Sequence, residues 1–260
     1  MGTGAITSYI DVAQIALYVF WVFFAGLIYY LHREDKREGY PLESDRSHRS
    51  GDRVKVQGWP RVPKPKTFHL RDGRVVMAPN FRGSNQPLGG SPSAGHLGAP
   101  LEPNGDPMLA AVGPGSYSDR ADIPDTTIDG AARIVPLRAA SSFEVSAHDR
   151  DPRGLPVLGA DNIVAGHVRE LWVDRAEVLF RYLEVEVPAQ VGSRRVLLPV
   201  NFARIGDQRV KVRSILAGQF AQVPATRSPD TVTLLEEEKI MAYYGGGTLY
   251  ATPDRQEPLL

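Results

Sequence analysis

The chain has no cysteine, which excludes disulfides, thiolate zinc sites and thiol nucleophiles together. It has no excess of either charge. Its 30 basic and 30 acidic residues leave a formal net charge of zero, so no overall field draws in nucleic acid and no nucleic-acid partner is expected. The motifs G-x-x-x-x-G-K-[ST], G-x-G-x-x-G and H-E-x-x-H are absent. The triplet Gly245–Gly247 follows a helical pattern instead of opening one, so it makes a poor phosphate loop. His32, His48, His69, His96, His148 and His167 are scattered without metal-ligand spacing, and no nucleophile–base pair is apparent. Long hydrophobic runs are scarce as well: there is one.

That run is Val12–Leu31, about 20 residues with Gln14 as its polar interruption. At 1.5 Å per residue a helix of this length matches a hydrocarbon core of roughly 30 Å. Tyr9, Tyr29 and Tyr30 fall where the two membrane interfaces are expected. No Lys or Arg precedes the run, it exceeds the length of a signal-peptide core, and no A-x-A site follows it, so a retained anchor is expected. Arg33, Lys36 and Arg37 follow at once, which predicts a periplasmic N-terminal tail (1–11) and a cytoplasmic bulk. Tyr18, Phe20, Trp21, Phe23 and Phe24 crowd mid-span and read either as a plain anchor facing lipid or as packing on other helices or pigments, and the residues alone leave both open. The mixed run Glu34–Glu38 reads either as a solvated helix end or as an ion-paired collar, with Gly39 and Pro41 stopping the helix.

From 32 to about 140 the chain is extended and rich in Pro and Gly, with "RVKV" and "GRVVMAP" as short strand candidates. Trp59, Phe68, Met108 and Tyr117 are anchors that linkers seldom carry, so 44–136 is expected to be ordered by a partner surface rather than by itself. From 141 to about 225 short β-rich runs alternate with turn signals: "GLPVLGAD", "IVAGHVRELWVD", "LFRYLEVEV", "RRVLLPVNFARI" and "RVKVRSI". Leu183, Val185 and Val187 alternate with Tyr182, Glu184 and Glu186, which predicts one buried face. A mainly-β domain with a small, nearly closed barrel is expected. Residues 226–260 hold a helix opened by the capping-box pair Thr233 and Glu236, ended by the glycine triplet.

Asp174, Glu177 and Arg181 surround the turn between two strong strand candidates. They read either as a solvated turn or as titrating acids tuned by an arginine, and the residues alone leave both open.

The pieces "AGLIYYL" running into "REDKREGYPLE", "PKPKTF", "GDPM…VGPGSY", "GLPV", "LWVD…RYLEVEV", "VTLLEEEKI" and "GGGTLYATP" occur in one order through nearly the whole chain. Together they resemble the H subunit of the purple-bacterial photosynthetic reaction centre, and the strand-rich part resembles its PRC-barrel. The resemblance implies a single transmembrane helix and a cytoplasmic domain capping subunits L and M. It implies that this chain binds no electron-transfer cofactor and is not itself an enzyme; bacteriochlorophyll, bacteriopheophytin, quinones and non-haem iron belong to the partners. A cytochrome subunit, a light-harvesting antenna and membrane lipids are further neighbours it allows. It implies that the subunit shields the quinone pockets and helps carry protons to the secondary quinone. Glu177, Arg181 and Asp174 match the family's positions near that proton path, and Asp129 matches an aspartate in its proton-uptake region. Some relatives carry two histidines just after that aspartate; here the stretch holds Ala131, Ala132 and Arg133, so the histidine part and its metal-binding capacity do not carry over. The alternatives are a membrane-tethered PRC-barrel adaptor of another complex and an acid–base enzyme using Asp174 and Glu177.

Overall fold

The computed structural model describes residues 6, 11–43, 55–70, 73–80, 89–96, 98–188 and 193–256. Tyr9, the rest of the tail apart from Ile6 and Asp11, and the first half of "RVKV" lie outside the described residues. The chain divides into two units, 1–86 with 96–98 and 87–95 with 99–260.

The first unit is built on α1 (Val12–Asp35), long and apolar enough to cross a membrane. Asp11 caps its start, the carboxylate accepting from the Gln14 amide at 2.7 Å. None of its residues is buried by the rest of the chain. Phe20 and Phe24 stack at 5.7 Å on this uncovered surface. The helix passes into the charged run, which works inside the chain. Glu34 pairs with Arg37 and Lys66, and Arg37 also donates to the carbonyls of Lys64 and Ala78, both at 2.9 Å. Lys36 is buried, its ammonium donating to the carbonyls of Gln57 and Pro60 at 2.7 Å and lying 5.0 Å from the Tyr40 ring. A buried ammonium needs such partners, so these bonds pin the helix end to the irregular chain after it. That chain carries two hairpins. One pairs β1 (Leu42–Glu43) with β2 (Lys55–Val56), the other β3 (Lys66–His69) with β4 (Val75–Ala78).

The second unit opens with the pair β5 (Gly90–Pro92) and β6 (Leu101–Pro103). Its main sheet holds β7 (Ile134–Pro136), β8 (Pro156–Leu158), β9 (Val164–Asp174), β10 (Leu179–Pro188), β11 (Ser193–Pro199), β12 (Ala203–Ile205) and β13 (Val210–Val212). The sheet thus takes in residues before 141. The hydrogen-bonded path is β11–β10–β9–β8–β13–β12, with β7 beside the far half of β9. Laid flat, five spacings of about 4.8 Å would separate β11 from β12 by about 24 Å. Yet the single turn Val200–Phe202 joins them, and a 3₁₀ turn rises only about 2 Å per residue. The sheet is therefore rolled toward a barrel, although no β11–β12 pairing is found among the described residues. Inside lie Val157, Val168, Leu171, Leu183, Val185 and Leu198, each about 1 % exposed or less. Such side chains contribute about 1.5–3 kcal/mol apiece.

Three expectations change. Leu183, Val185 and Val187 are buried as the alternation predicts, but so are Tyr182 and Glu184. A second layer covers the other face: Glu237 accepts from the Tyr182 hydroxyl, and Arg138 and Arg195 close over Glu184. The segment 104–136 is ordered within the chain. Met108 and Val112 are buried, the Leu234 amide donates to the Ile123 carbonyl at 3.0 Å, and Pro124 bridges to Thr233. Finally, α2 (Leu234–Tyr250) begins at the predicted capping box but runs through the glycine triplet. A Cβ at Gly245 would lie 2.9 Å from the Pro114 carbonyl oxygen; at Gly247 it would lie 2.4 Å from the Ile215 side chain and 2.5 Å from the Ser214 carbonyl oxygen. These glycines let other backbone approach the helix rather than stopping it.

Gly166 on β9 is a sharper case, since a Cβ there would stand 2.1 Å from the Glu186 carbonyl oxygen on β10. Gly166→Ala is expected to cost about 2–3 kcal/mol through forced separation of the strands. Gly218→Ala, whose Cβ meets nothing within 4 Å, is expected to stay neutral or gain up to about 1 kcal/mol. Thermal melts of both variants check the pair, and equal midpoints would contradict the strand packing.

Candidate functional site

The site grows from the turn between β9 and β10. Asp174 ends β9 and is fully buried. Its Oδ1 accepts from the amides of Ala176 at 2.9 Å and Glu177 at 3.0 Å, while its carbonyl accepts from Val178 at 2.8 Å. One short acid thus shapes the whole turn. Val178 is held at φ 56°, a left-handed conformation that a β-branched residue seldom adopts, while its side chain projects into solvent. On β10, Phe180 faces Val173 and Tyr182 faces Trp172, which leaves Arg181 as the extra residue of a β-bulge. The bulge turns Arg181 back onto the turn, where it reaches Asp174 at 3.5 Å and Glu177 at 3.4 Å.

Arg133 is the hub. Its Nε donates to both Asp174 oxygens at 3.0 Å, one amino group reaches Asp125 at 3.2 Å, and the other pairs with Glu177. Burial pushes the Asp174 carboxyl up, but the Arg133 guanidinium and the two turn amides outweigh it, and the group is held below the usual carboxylate range. Asp174 is therefore a fixed anion. Its hydrogen bonds to Arg133 push the guanidinium further up in turn.

Arg181 also lines a cleft of about 710 Å³ between β10, the turn after β11 and α2. Glu237 is on its wall and accepts from the Tyr182 hydroxyl at 2.9 Å. Burial raises the Glu237 carboxyl above its ordinary value, against the pull of Tyr182, Arg181 and Arg120. The Tyr182 hydroxyl is itself pushed up, by burial first and by Glu237 second, so it stays a donor.

The structure brings Asp174, Glu177 and Arg181 together and leaves Asp129 apart. Asp129 is exposed in the tight turn 127–130, where Gly130 at φ 80° lets the chain reverse, and it has no hydrogen bond or ion pair among the described residues. Asp125, at the base of that hairpin, enters the cluster instead. Sequence reasoning missed Asp125, Arg133 as a hub, and Glu237. The signal for Glu237 was available: it follows the capping-box glutamate and sits one turn before Met241 on a helix that must cover the sheet. Among the described residues no three His, Asp or Glu side chains gather to hold a metal ion.

A rolled sheet with long β9 and β10 strands and an acid-capped turn defines a class of small barrel, and residues 144–218 match the PRC-barrel domain. The preceding part is more specific. Residues 4–139, more than half of the chain, match the family described as photosynthetic reaction centre, H-chain N-terminal region. The chain belongs to the photosynthetic reaction centre H-chain family. That family is a structural subunit, and membership implies association with the other reaction-centre subunits. The single apolar helix α1 is in keeping with this.

Asp174→Asn is expected to destabilise the chain by about 3 kcal/mol at pH 7, since it removes one side of a buried ion pair. The sign follows from the lowered native pKa. The contribution of Asp174 is full above the unfolded pKa of about 3.9 and is lost as pH falls through the native value. The gap between wild type and variant should be flat from about pH 5 to 8 and narrow below about pH 4. Melts across pH measure it; a gap that stays constant as far into acid as the fold survives would contradict an ionised Asp174.

Proposed function

We propose that this chain caps the cytoplasmic faces of the L and M subunits, shields the quinone sites they hold, and assists proton uptake to the secondary quinone. The observation that carries the proton role is a continuous string of ionisable groups. Asp125, Arg133, Asp174, Glu177 and Arg181 are linked by ion pairs, and Arg181 leads into the cleft that holds Glu237.

Quinol formation consumes two protons at a site kept from bulk water, so acids must relay them inward. Within the string the roles divide. Asp174 orients Arg133 and Arg181 as a fixed charge and does not exchange protons near neutral pH. Glu177 is nearly half exposed at the rim, where water reaches it. Glu237, raised by burial, holds its proton more readily than an ordinary carboxyl does. Arg181 and Arg120 limit the rise at Glu237. An acid–base enzyme using Asp174 and Glu177 is poorly supported, because both are engaged by the same two arginines. The cytoplasmic placement rests on Arg33, Lys36 and Arg37 after the span, and protease added to sealed inside-out vesicles should digest most of the chain. Full resistance there would reverse the orientation.

Glu177→Gln and Glu237→Gln should each slow proton-coupled reduction of the secondary quinone, by up to roughly tenfold where parallel acids share delivery. Glutamine keeps the size and hydrogen bonding but cannot carry a proton. Primary charge separation in the partner subunits should be unchanged. Flash-induced absorbance kinetics across pH decide between them, and a double variant with wild-type second-electron kinetics at every pH would remove this chain from proton delivery.

A further inference from the structure

A second cleft, of about 610 Å³, lies on another part of the barrel unit, between the β12–β13 hairpin, the end of α2 and the 3₁₀ turn Pro253–Arg255. Arg204, Lys211, Arg213 and Arg255 line it, and no carboxylate does. Elsewhere in this unit cations meet acids: Arg120, Arg133, Arg138, Arg169, Arg181 and Arg227 each pair with a carboxylate. The side chains of Arg204 and Arg213 have no hydrogen bond or ion pair among the described residues, and the Lys211 ammonium bonds only to the neutral amide of Asn162, at 2.6 Å. Arg204 and Lys211 also stand directly opposite each other in the β12–β13 register. Like charges in that position destabilise a hairpin. In a chain of zero net charge, four cations gathered without an acid mark a place built for an anion.

A second observation points the same way. Ser214 lines this cleft and is 5 % exposed, yet its hydroxyl finds no partner among the described residues. A buried hydroxyl left unsatisfied gives up its hydration without a replacement bond. Its backbone is fixed, because Arg255 donates to the Ser214 carbonyl at 2.7 Å and to the Arg213 and Gly247 carbonyls at 2.9 and 2.5 Å. Arg255 thus holds the strand end against α2, which leaves Arg204, Lys211 and Arg213 to meet a ligand. Two guanidinium forks, an ammonium and a free hydroxyl suit the several oxygens of a phosphate group better than a single carboxylate. We infer that this cleft binds a phosphate-bearing ligand, either a soluble diphosphate or the headgroup of an anionic phospholipid.

Inorganic pyrophosphate is the probe, titrated by calorimetry into the intact complex in neutral detergent at low salt. Saturable binding is expected. Arg204→Ala and Arg213→Ala should each weaken it about tenfold, the loss of one charge-assisted hydrogen bond. Arg169→Ala, which breaks a pair with Glu186 elsewhere, should leave it unchanged. Ser214→Ala should keep or raise the melting temperature of the free protein, since it removes an unsatisfied group, while lowering pyrophosphate affinity. Repeating the titration in nanodiscs separates the sources. Binding lost in phosphatidylglycerol but kept in phosphatidylcholine assigns the cleft to a lipid headgroup; binding kept in both assigns it to a soluble phosphate. Absence of pyrophosphate binding, or binding indifferent to both arginine variants, overturns the site.

Discussion

The Arg133–Asp174 pair ties the start of β7 to the end of β9. Arg133 immediately precedes β7, and Asp174 closes β9, so the bond from one Nε to both carboxylate oxygens clamps the strand pair where β7 joins the sheet. From the same guanidinium the hairpin base is held through Asp125 and the β9–β10 turn through Glu177. Removing one partner would leave a buried charge unmatched, which costs far more than a surface pair contributes. The turn geometry, the bulge at Arg181 and the path toward the cleft all presuppose this contact. One guanidinium thus fixes the spacing of three carboxylates, Asp125, Asp174 and Glu177.

The sequence made the strands legible because their signals are local. The β-rich run of β10, the turn residues between β9 and β10, and the Thr233–Glu236 box each need only a few neighbours, and each element appears where expected, although the outward face of β10 is covered as well. What stayed hidden depends on distant chain. Arg133 lies 41 residues from Asp174, and nothing around it marks it as a hub. Arg181 belongs to the site because of a bulge, and bulges follow from the partner strand's register. The glycine triplet misled for the same reason. Glycine commonly ends a helix, but here Pro114, Gly115 and Ser214 come close enough that a Cβ would collide. The Pro- and Gly-rich segment from 104 to 136 lacked periodicity because it packs as irregular chain on α2 and the sheet, where contacts rather than pattern order it.

The charged run after α1 shows how the same residues can serve two readings. A helix end that leaves a membrane gathers charge in any case. Here that charge is used within the first unit, where Lys36 and Arg37 hold four backbone carbonyls of the chain that follows. Extended chain rich in proline cannot satisfy its own carbonyls through a ladder, so donors from a helix end replace the missing strand. Anchoring and ordering are therefore one device: the segment that must leave the membrane also organises what comes next.

Zero net charge conceals a deliberate distribution. Through most of the barrel unit, acids and arginines neutralise each other at contact distance, which keeps the surface free of a long-range field. Two of the departures from that rule line clefts. At one, half-buried Glu237 lies near Arg181, and its carboxyl is raised. At the other, Arg204, Lys211 and Arg213 face a cleft without an acid. Pairing holds a charge in place, as the Arg133 guanidinium and the turn amides do for the Asp174 carboxylate. Where such pairing stops, as between Arg204 and Lys211 across the β12–β13 hairpin, like charges face each other with no acid to offset them, and the local potential rises although the net charge of the chain is zero.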